Sequence, residues 1–259
     1  MKLLLINPNV TEAMTASMAA EARLFASPGT EITAVTAPFG TRYVENRVEA
    51  AIAGHAVLDA LATHMSGHDA AIVSAFGDPG LAAAREFADI PIFGIEESAL
   101  LIAWTLGRRL SIVCLTPRLG RRYQECAEEH GLAGRLVRVR ALDVPIPDIT
   151  RAKDQLRARL LEECGLAIEA DGAEVIIFGG GPIAGLAREA AAEIPVPTLD
   201  GVSCAVRLAE AVVGLHPRPP TRGSFARPPA KPAKGLSPAL MRRIVEQSGR
   251  EELDAPRAR

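Results

Sequence analysis

Short apolar runs alternate with longer alanine-rich stretches along most of the chain, and this alternation sets the expected fold. Runs at 2–7, 31–37, 70–75 and 91–95 predict four strands, and runs at 110–114, 136–142, 174–178 and 196–199 predict four more. Helical patterns fall between them at 48–65, 81–88, 97–106, 121–130 and 152–170. Strands that alternate with helices in this way argue for an α/β fold with a mainly parallel sheet. The order repeats. Aligned halves set Asn7 opposite Cys114, Ala75 opposite Phe178 and its neighbours, and Ile95-Glu96 opposite Leu199-Asp200. The expectation is an internal duplication: two pseudo-symmetric parallel-sheet domains facing a shared interdomain cleft, with ligand held beyond the carboxyl ends of the strands. Residues 1–96 and 203–216 would form the first domain, because the last helix returns to it, and 97–202 the second. After His216 the repeated prolines of 217–220 and 227–235 exclude regular structure and predict a surface arm, able to wrap a neighbouring subunit. One short helix is expected at 238–247, followed by charged disorder to residue 259.

Two strand ends stand out. Ala71-Ile-Val-Ser-Ala-Phe-Gly-Asp-Pro-Gly-Leu81 and Val175-Ile-Ile-Phe-Gly-Gly-Gly-Pro-Ile-Ala-Gly-Leu186 each run from an apolar strand into small residues and then into a helix. Glycine imposes no Cβ, and free N–H groups point outward at a helix start, so a ligand can approach the backbone closely at such junctions.

Composition narrows the partners. A chain of 259 residues with 48% hydrophobic content can bury a large core, and a net charge of −2 gives no electrostatic reason to expect nucleic acid or an anionic membrane. Met1 to Ile6 is too short for the core of a signal peptide, and no segment approaches a membrane span, so a cytoplasmic protein is expected. Cys114, Cys126, Cys164 and Cys204 lack metal-type spacing and read as free thiols, and no metal is expected.

The segments Ile6-Asn-Pro-Asn9, Phe76-Gly-Asp-Pro-Gly-Leu81, Gly179 to Leu186 and Asp200-Gly201 resemble the hydantoin and allantoin racemase branch of the aspartate/glutamate racemase superfamily, from residue 1 to about residue 233. The resemblance implies the same two-domain arrangement, a homo-oligomer, no cofactor, and removal and return of a proton at a carbon next to a carbonyl by two cysteines, one on each strand end. Here those positions read Ala75 and Gly180. Neither residue titrates, and general acid–base catalysis needs a group that does.

Other candidates are therefore weighed. Asn7 and Asn9 end the first strand, where an amide can hold a carbonyl or carboxylate, although Asn-Pro also starts turns. Asp78 can accept an N–H or act as a base, or can serve only as part of a turn. Ser74, Ala75, Phe76 and Gly77, with Gly179, Gly180 and Gly181, form the two substrate-binding strand ends. Ser74 has no adjacent base to activate it. Cys114 ends the first strand of the second half and so is a candidate to face the cleft, against the reading of an inert packed thiol. Arg42, Tyr43, Glu45 and Arg47 lie on a loop after the second strand, where Arg42 suits a carboxylate and Glu45 an acid or base. His55 follows on an alanine-rich helix, a setting that more often means packing than catalysis. The catalytic candidates are thus Cys114, Asp78, Glu45 and His55. Gly179 to Ala184 also fits a loose dinucleotide fingerprint, but a glycine nest for a carboxylate or ureide oxygen explains the same residues more simply.

The expected function is a cofactor-independent enzyme of the hydantoin racemase type, acting on a small cyclic ureide or amino-acid-like carboxylate at or next to a carbonyl without the two thiols. Hydrolytic ring opening or decarboxylation on a similar substrate, or a small-molecule-binding protein that has lost turnover, are the alternatives.

Overall fold

A computed structural model describes residues 1–143 and 148–246, and the tail from Gln247 lies outside the described residues. The first half contains β1 (Lys2–Asn7), α1 (Glu12–Phe25), β2 (Glu31–Thr36), α2 (Arg47–His64), β3 (Ala70–Val73), α3 (Leu81–Phe87), β4 (Ile92–Gly94) and α4 (Ile95–Leu106). The second contains β5 (Leu110–Cys114), α5 (Pro117–Glu129), β6 (Leu136–Ala141), α6 (Ala152–Glu169), β7 (Val175–Gly179), α7 (Leu186–Glu189), β8 (Thr198–Asp200) and α8 (Gly201–Val213), and α9 (Pro238–Glu246) follows the arm. All strand pairs are parallel, in two four-stranded sheets ordered β2-β1-β3-β4 and β6-β5-β7-β8. The second order is the first shifted by four strands, which is the duplication expected from the sequence.

Alternating residues of the central strand feed different layers. Leu3 and Leu5 belong to a core that runs through both halves, whereas Leu4 and Ile6 pack with Val57, Leu61 and Leu81 on the outer face of the first sheet. A strand covered on both faces has no polar face, which is why Leu3 to Ile6 reads as one unbroken apolar run.

The helices that follow the last strand of each sheet cross to the other half. Helix α4 packs on α5 and β7, and α8 packs on α1, β3 and β4, while α4 and α8 lie against each other. Their starts meet so closely that a Cβ on Gly201 would lie 2.5 Å from the carbonyl oxygen of Ile95. On the far side of α8, Glu210 accepts hydrogen bonds from the Ser27 amide at 2.8 Å, the Ser27 hydroxyl at 2.8 Å and the Thr30 hydroxyl at 2.7 Å. This carboxylate ties α8 to the loop between α1 and β2.

The proline-rich arm makes contacts with the first half of its own chain. Phe225 stacks near the Arg85 guanidinium, Arg227 and Arg243 pair with Asp89, and Leu240 of α9 is buried in the outer core of the first sheet. No helix among the described residues is long and apolar enough to cross a membrane.

Burial raises the Glu210 pKa, but the Thr30 and Ser27 hydrogen bonds and Arg207 outweigh it and hold the carboxyl below its ordinary 4.5. A depressed folded-state pKa stabilises above the unfolded value, and that contribution is lost as pH falls through the folded value. Glu210→Gln is therefore expected to cost about 1–2 kcal/mol at pH 7. Urea unfolding should show this gap from the native chain closing as the pH is lowered below the unfolded carboxyl range.

Candidate active site

In each sheet the first and third strands of the half lie side by side at the centre, β1 beside β3 and β5 beside β7. Chain direction of progress reverses there, which opens a crevice at the carboxyl ends. The two crevices face each other and enclose a space of about 40 Å³, lined by Asn9, Met14, Tyr43, Val44, Ser74, Ala75 and Phe76 from the first half and by Leu115, Leu119, Tyr123, Ile149, Gly180, Gly181 and Pro182 from the second.

The glycine wall is shaped by its neighbours. A Cβ on Gly179 would lie 2.8 Å from the Ile112 side chain and 3.0 Å from the Tyr123 ring, and one on Gly181 would lie 2.9 Å from the Met18 sulfur. Gly180 has φ +129°, a conformation that side-chain-bearing residues rarely adopt. The Tyr123 hydroxyl sits 3.5 Å from where a Cβ on Gly180 would stand. The phenol therefore lies beside the position that the resemblance gives to the second thiol.

Tyr123 is 2% exposed, and its ring meets Phe76 edge-on at 4.7 Å. Burial, followed by the neighbouring Cys114 and Glu96, pushes its pKa well above the ordinary phenol range. It is a protonated donor at neutral pH. Asn9 is the second polar group on the wall. Its Oδ1 accepts from Asn7 Nδ2 at 3.1 Å and from the Thr11 amide at 2.9 Å, which fixes the amide and leaves Nδ2 without a partner among the described residues. Ser74 donates to the Met18 sulfur at 3.0 Å and has no base beside it.

The carboxylate closest to this space in the chain is Glu45, one residue beyond Val44. Its Oε1 accepts from the Thr116 hydroxyl at 2.9 Å, and the Tyr43 hydroxyl stands 3.5 Å from Oε2. Glu45 thus joins the loop after β2 to the N-cap of α5, since Thr116 Oγ1 also accepts from the Leu119 amide.

Several sequence candidates lie elsewhere. Cys114 is 0% exposed with Sγ turned toward Gly120 and the Thr116 carbonyl, and burial raises its pKa far above the thiol range, so it is an inert packed thiol. Asp78 turns away from the cavity and accepts from the Glu96 and Glu97 amides at 3.0 and 2.8 Å, capping α4 from a distant loop. His55 packs against Phe39 with ring centroids 5.1 Å apart and the planes tilted by 57°. Arg42 is exposed and outside the cavity lining; its carbonyl accepts from the Thr11 hydroxyl and its charge bears on Asp148. Asn7 is fully buried behind Asn9, bonded also to Thr15 at 2.8 Å, and so positions the wall without lining it. Gly77 and Gly179 also lie behind the lining, Gly77 giving its carbonyl to Arg122. Tyr123 and Thr116 were not among the sequence candidates. Tyr123 shares the buried face of α5 with Leu119, Cys126 and Ala127, a pattern that reads only as packing.

Residues 3–209 match the family model described as Asp/Glu/Hydantoin racemase. A hydantoin racemase of Pseudomonas sp. (strain NS671) is 33% identical over 83% of this chain and 87% of its own length. Allantoin racemase from Klebsiella pneumoniae superposes with a TM-score of 0.88 at 34% identity, covering 93% of this chain and 98% of that one. Allantoin racemase from Pseudomonas fluorescens gives 0.85 at 32% identity, with 91% and 100% covered.

Because Gly180 holds a backbone conformation that a side chain strains, Gly180→Ala should destabilise the fold by about 1–3 kcal/mol, measured by urea unfolding. Ala75→Ser, at a wall position with no positive φ, should cost under about 1 kcal/mol.

Proposed function

The chain belongs to the Asp/Glu/hydantoin racemase family, and from that premise we propose that it is an enzyme acting on a small cyclic ureide or amino-acid-like carboxylate, at a carbon next to a carbonyl, without cysteine. The observation that carries this reading is the Tyr123 phenol, held protonated beside Gly180 at the wall of the cavity between the strand ends.

In this reading the substrate carbonyl lies between the Tyr123 hydroxyl and Asn9 Nδ2. When a proton leaves the neighbouring carbon, negative charge develops on the carbonyl oxygen. Two fixed donors stabilise that charge more than they stabilise the neutral substrate. Glu45 supplies the base, oriented by Thr116 and Tyr43. Ala75 and Gly180 stand where relatives by resemblance carry their two thiols, so the faces of the substrate are not each served by a thiol. A single carboxylate then takes up the proton and returns it, either to the same carbon or, after the enolate turns, to its other face. Opening of a ureide ring by water that Glu45 activates, or loss of carbon dioxide to the same stabilised enolate, needs no second base and is the next reading.

A binding protein is the reading favoured by a different observation: neither Ala75 nor Gly180 can titrate. Proton NMR in D2O with hydantoins, allantoin, aspartate and glutamate separates the three. Loss of an α-proton signal without new products is the expected result, new resonances would assign hydrolysis or a lyase step, and an unchanged spectrum for a ligand that binds calorimetrically would assign binding alone. With a turned-over substrate, Tyr123→Phe should lower kcat by about 10²–10³, as for loss of one oxyanion donor, with a smaller change in KM. Glu45→Gln should remove exchange while leaving ligand binding.

A further inference from the structure

Behind the Tyr123 wall, the loop after β3 and the first turn of α4 meet the last turn of α5. Asp78, Cys126 and His130 converge there, and one ligand-type atom from each lies within 4.8 Å of the other two. Cys126 and His130 are four residues apart at the end of α5, which sets both on one face of the helix. A second observation concerns Glu96. It is 0% exposed, and neither of its carboxylate oxygens makes a well-formed hydrogen bond. Its carboxyl lies against the Cys126 thiol and the Asp78 carboxylate, with the Gly77 amide as a further neighbour. We propose that Asp78, Cys126 and His130, with the buried carboxyl of Glu96 beside them, form a binding site for a divalent cation of the zinc type.

The spacing suits ligation as well as an ion pair of His130 with Asp78 and Glu97. His130 Nε2 stands 3.6 Å from Asp78 Oδ2 and Nδ1 stands 3.5 Å from Glu97 Oε1, both longer than a well-formed hydrogen bond. Two donors on one tetrahedral zinc, each bonded at about 2.0–2.3 Å, stand roughly 3.3–3.8 Å apart. Asp78 keeps capacity for a metal although it caps α4, because a carboxylate offers about four acceptor sites and the Glu96 and Glu97 amides take two. Of the nearby cations, Arg85 is held by both oxygens of Glu97, and Arg122 is bonded to Glu129 and the Gly77 carbonyl while its charge also bears on Glu96 and Cys126. Two carboxylates thus meet a thiol and an imidazole in a space that a dication would neutralise.

The donor set selects the metal class. Calcium and magnesium take oxygen ligands, whereas a mixed set of thiolate, imidazole and carboxylate suits zinc, with cobalt as its spectroscopic substitute. Binding forms a metal–sulfur bond as the S–H bond of Cys126 breaks, and the proton passes to solvent. The imidazole of His130, 19% exposed in its side chain, is the point of entry. Bound metal would fasten α5 to the first half one turn from Tyr123. It would touch no substrate, so the site is independent of the function proposed above.

The test uses the untagged full chain, stripped with chelator and titrated with Zn²⁺ by calorimetry and with Co²⁺ by absorbance. One equivalent of each metal is expected, with a near-ultraviolet thiolate-to-cobalt band and a rise in Tm. Cys126→Ser should abolish the band, and His130→Gln should weaken zinc binding at least tenfold and remove the Tm rise. The cap bond from His130 to the Cys126 carbonyl is made by the backbone amide, which glutamine retains, and circular dichroism of the variant checks that the fold is kept. Absence of saturable binding at one equivalent, a cobalt band that survives Cys126→Ser, or zinc affinity unchanged in His130→Gln would each overturn the proposal.

Discussion

The approach of α4 to α8 governs the position of everything in the cleft. Each helix leaves the last strand of one sheet and packs beneath the other, and the two starts touch where Gly201 meets the Ile95 carbonyl. Any side chain at residue 201 would force these helix starts apart, and with them the strand ends they follow. A space of about 40 Å³ leaves little tolerance for such a shift. The close contact between backbones is thus a condition of the site, although it lies outside the lining.

Within that frame burial sets which groups around the cleft keep their protons. Burial disfavours ionisation, so the Tyr123 phenol at the wall holds its proton, as does the Cys114 thiol packed outside the lining. In the function proposed above, the Tyr123 phenol and the Glu45 carboxylate stand in for two matched thiols. The asymmetry has a structural root in the second half: the loop after β7 carries glycine at a φ of +129° and packs a tyrosine hydroxyl beside it.

The fold was legible because its signals are local. Strands β1 and β5 begin and end where the apolar runs do, and the repeated order predicts the paired sheets. Errors arose where distant contacts set the structure. Helix α4 starts at Ile95, two residues before the expected Glu97, because Asp78 accepts amide protons at Glu96 and Glu97 from eighteen and nineteen residues away. Helix α1 was not expected: its buried residues include Thr15, Ala19, Glu21 and Ala22 beside two methionines, a face too small and polar to give a clear apolar period. Helix α5 starts at Pro117, four residues before the expected Arg121, although Thr116 as cap and proline in the first turn are readable signals of a helix start.

The site was legible in its backbone and less so in its side chains. Glycine runs at strand ends announce close backbone approach, and Ala75, Phe76, Gly180 and Gly181 do line the space. The equivalence of Asn7 and Cys114 also holds, since each ends the first strand of its half, but it leads away from the cavity. Both are fully buried, and the residues that reach the wall come later, Asn9 in one half and Leu115 in the other. A strand's last side chain can point into the layer beneath it, and periodicity alone does not say where the strand's pleat ends. Tyr123 shows the converse. On its helix it repeats like a core residue, and only the absence of a Cβ on Gly179 and Gly180 turns that packed ring into a donor at the cleft.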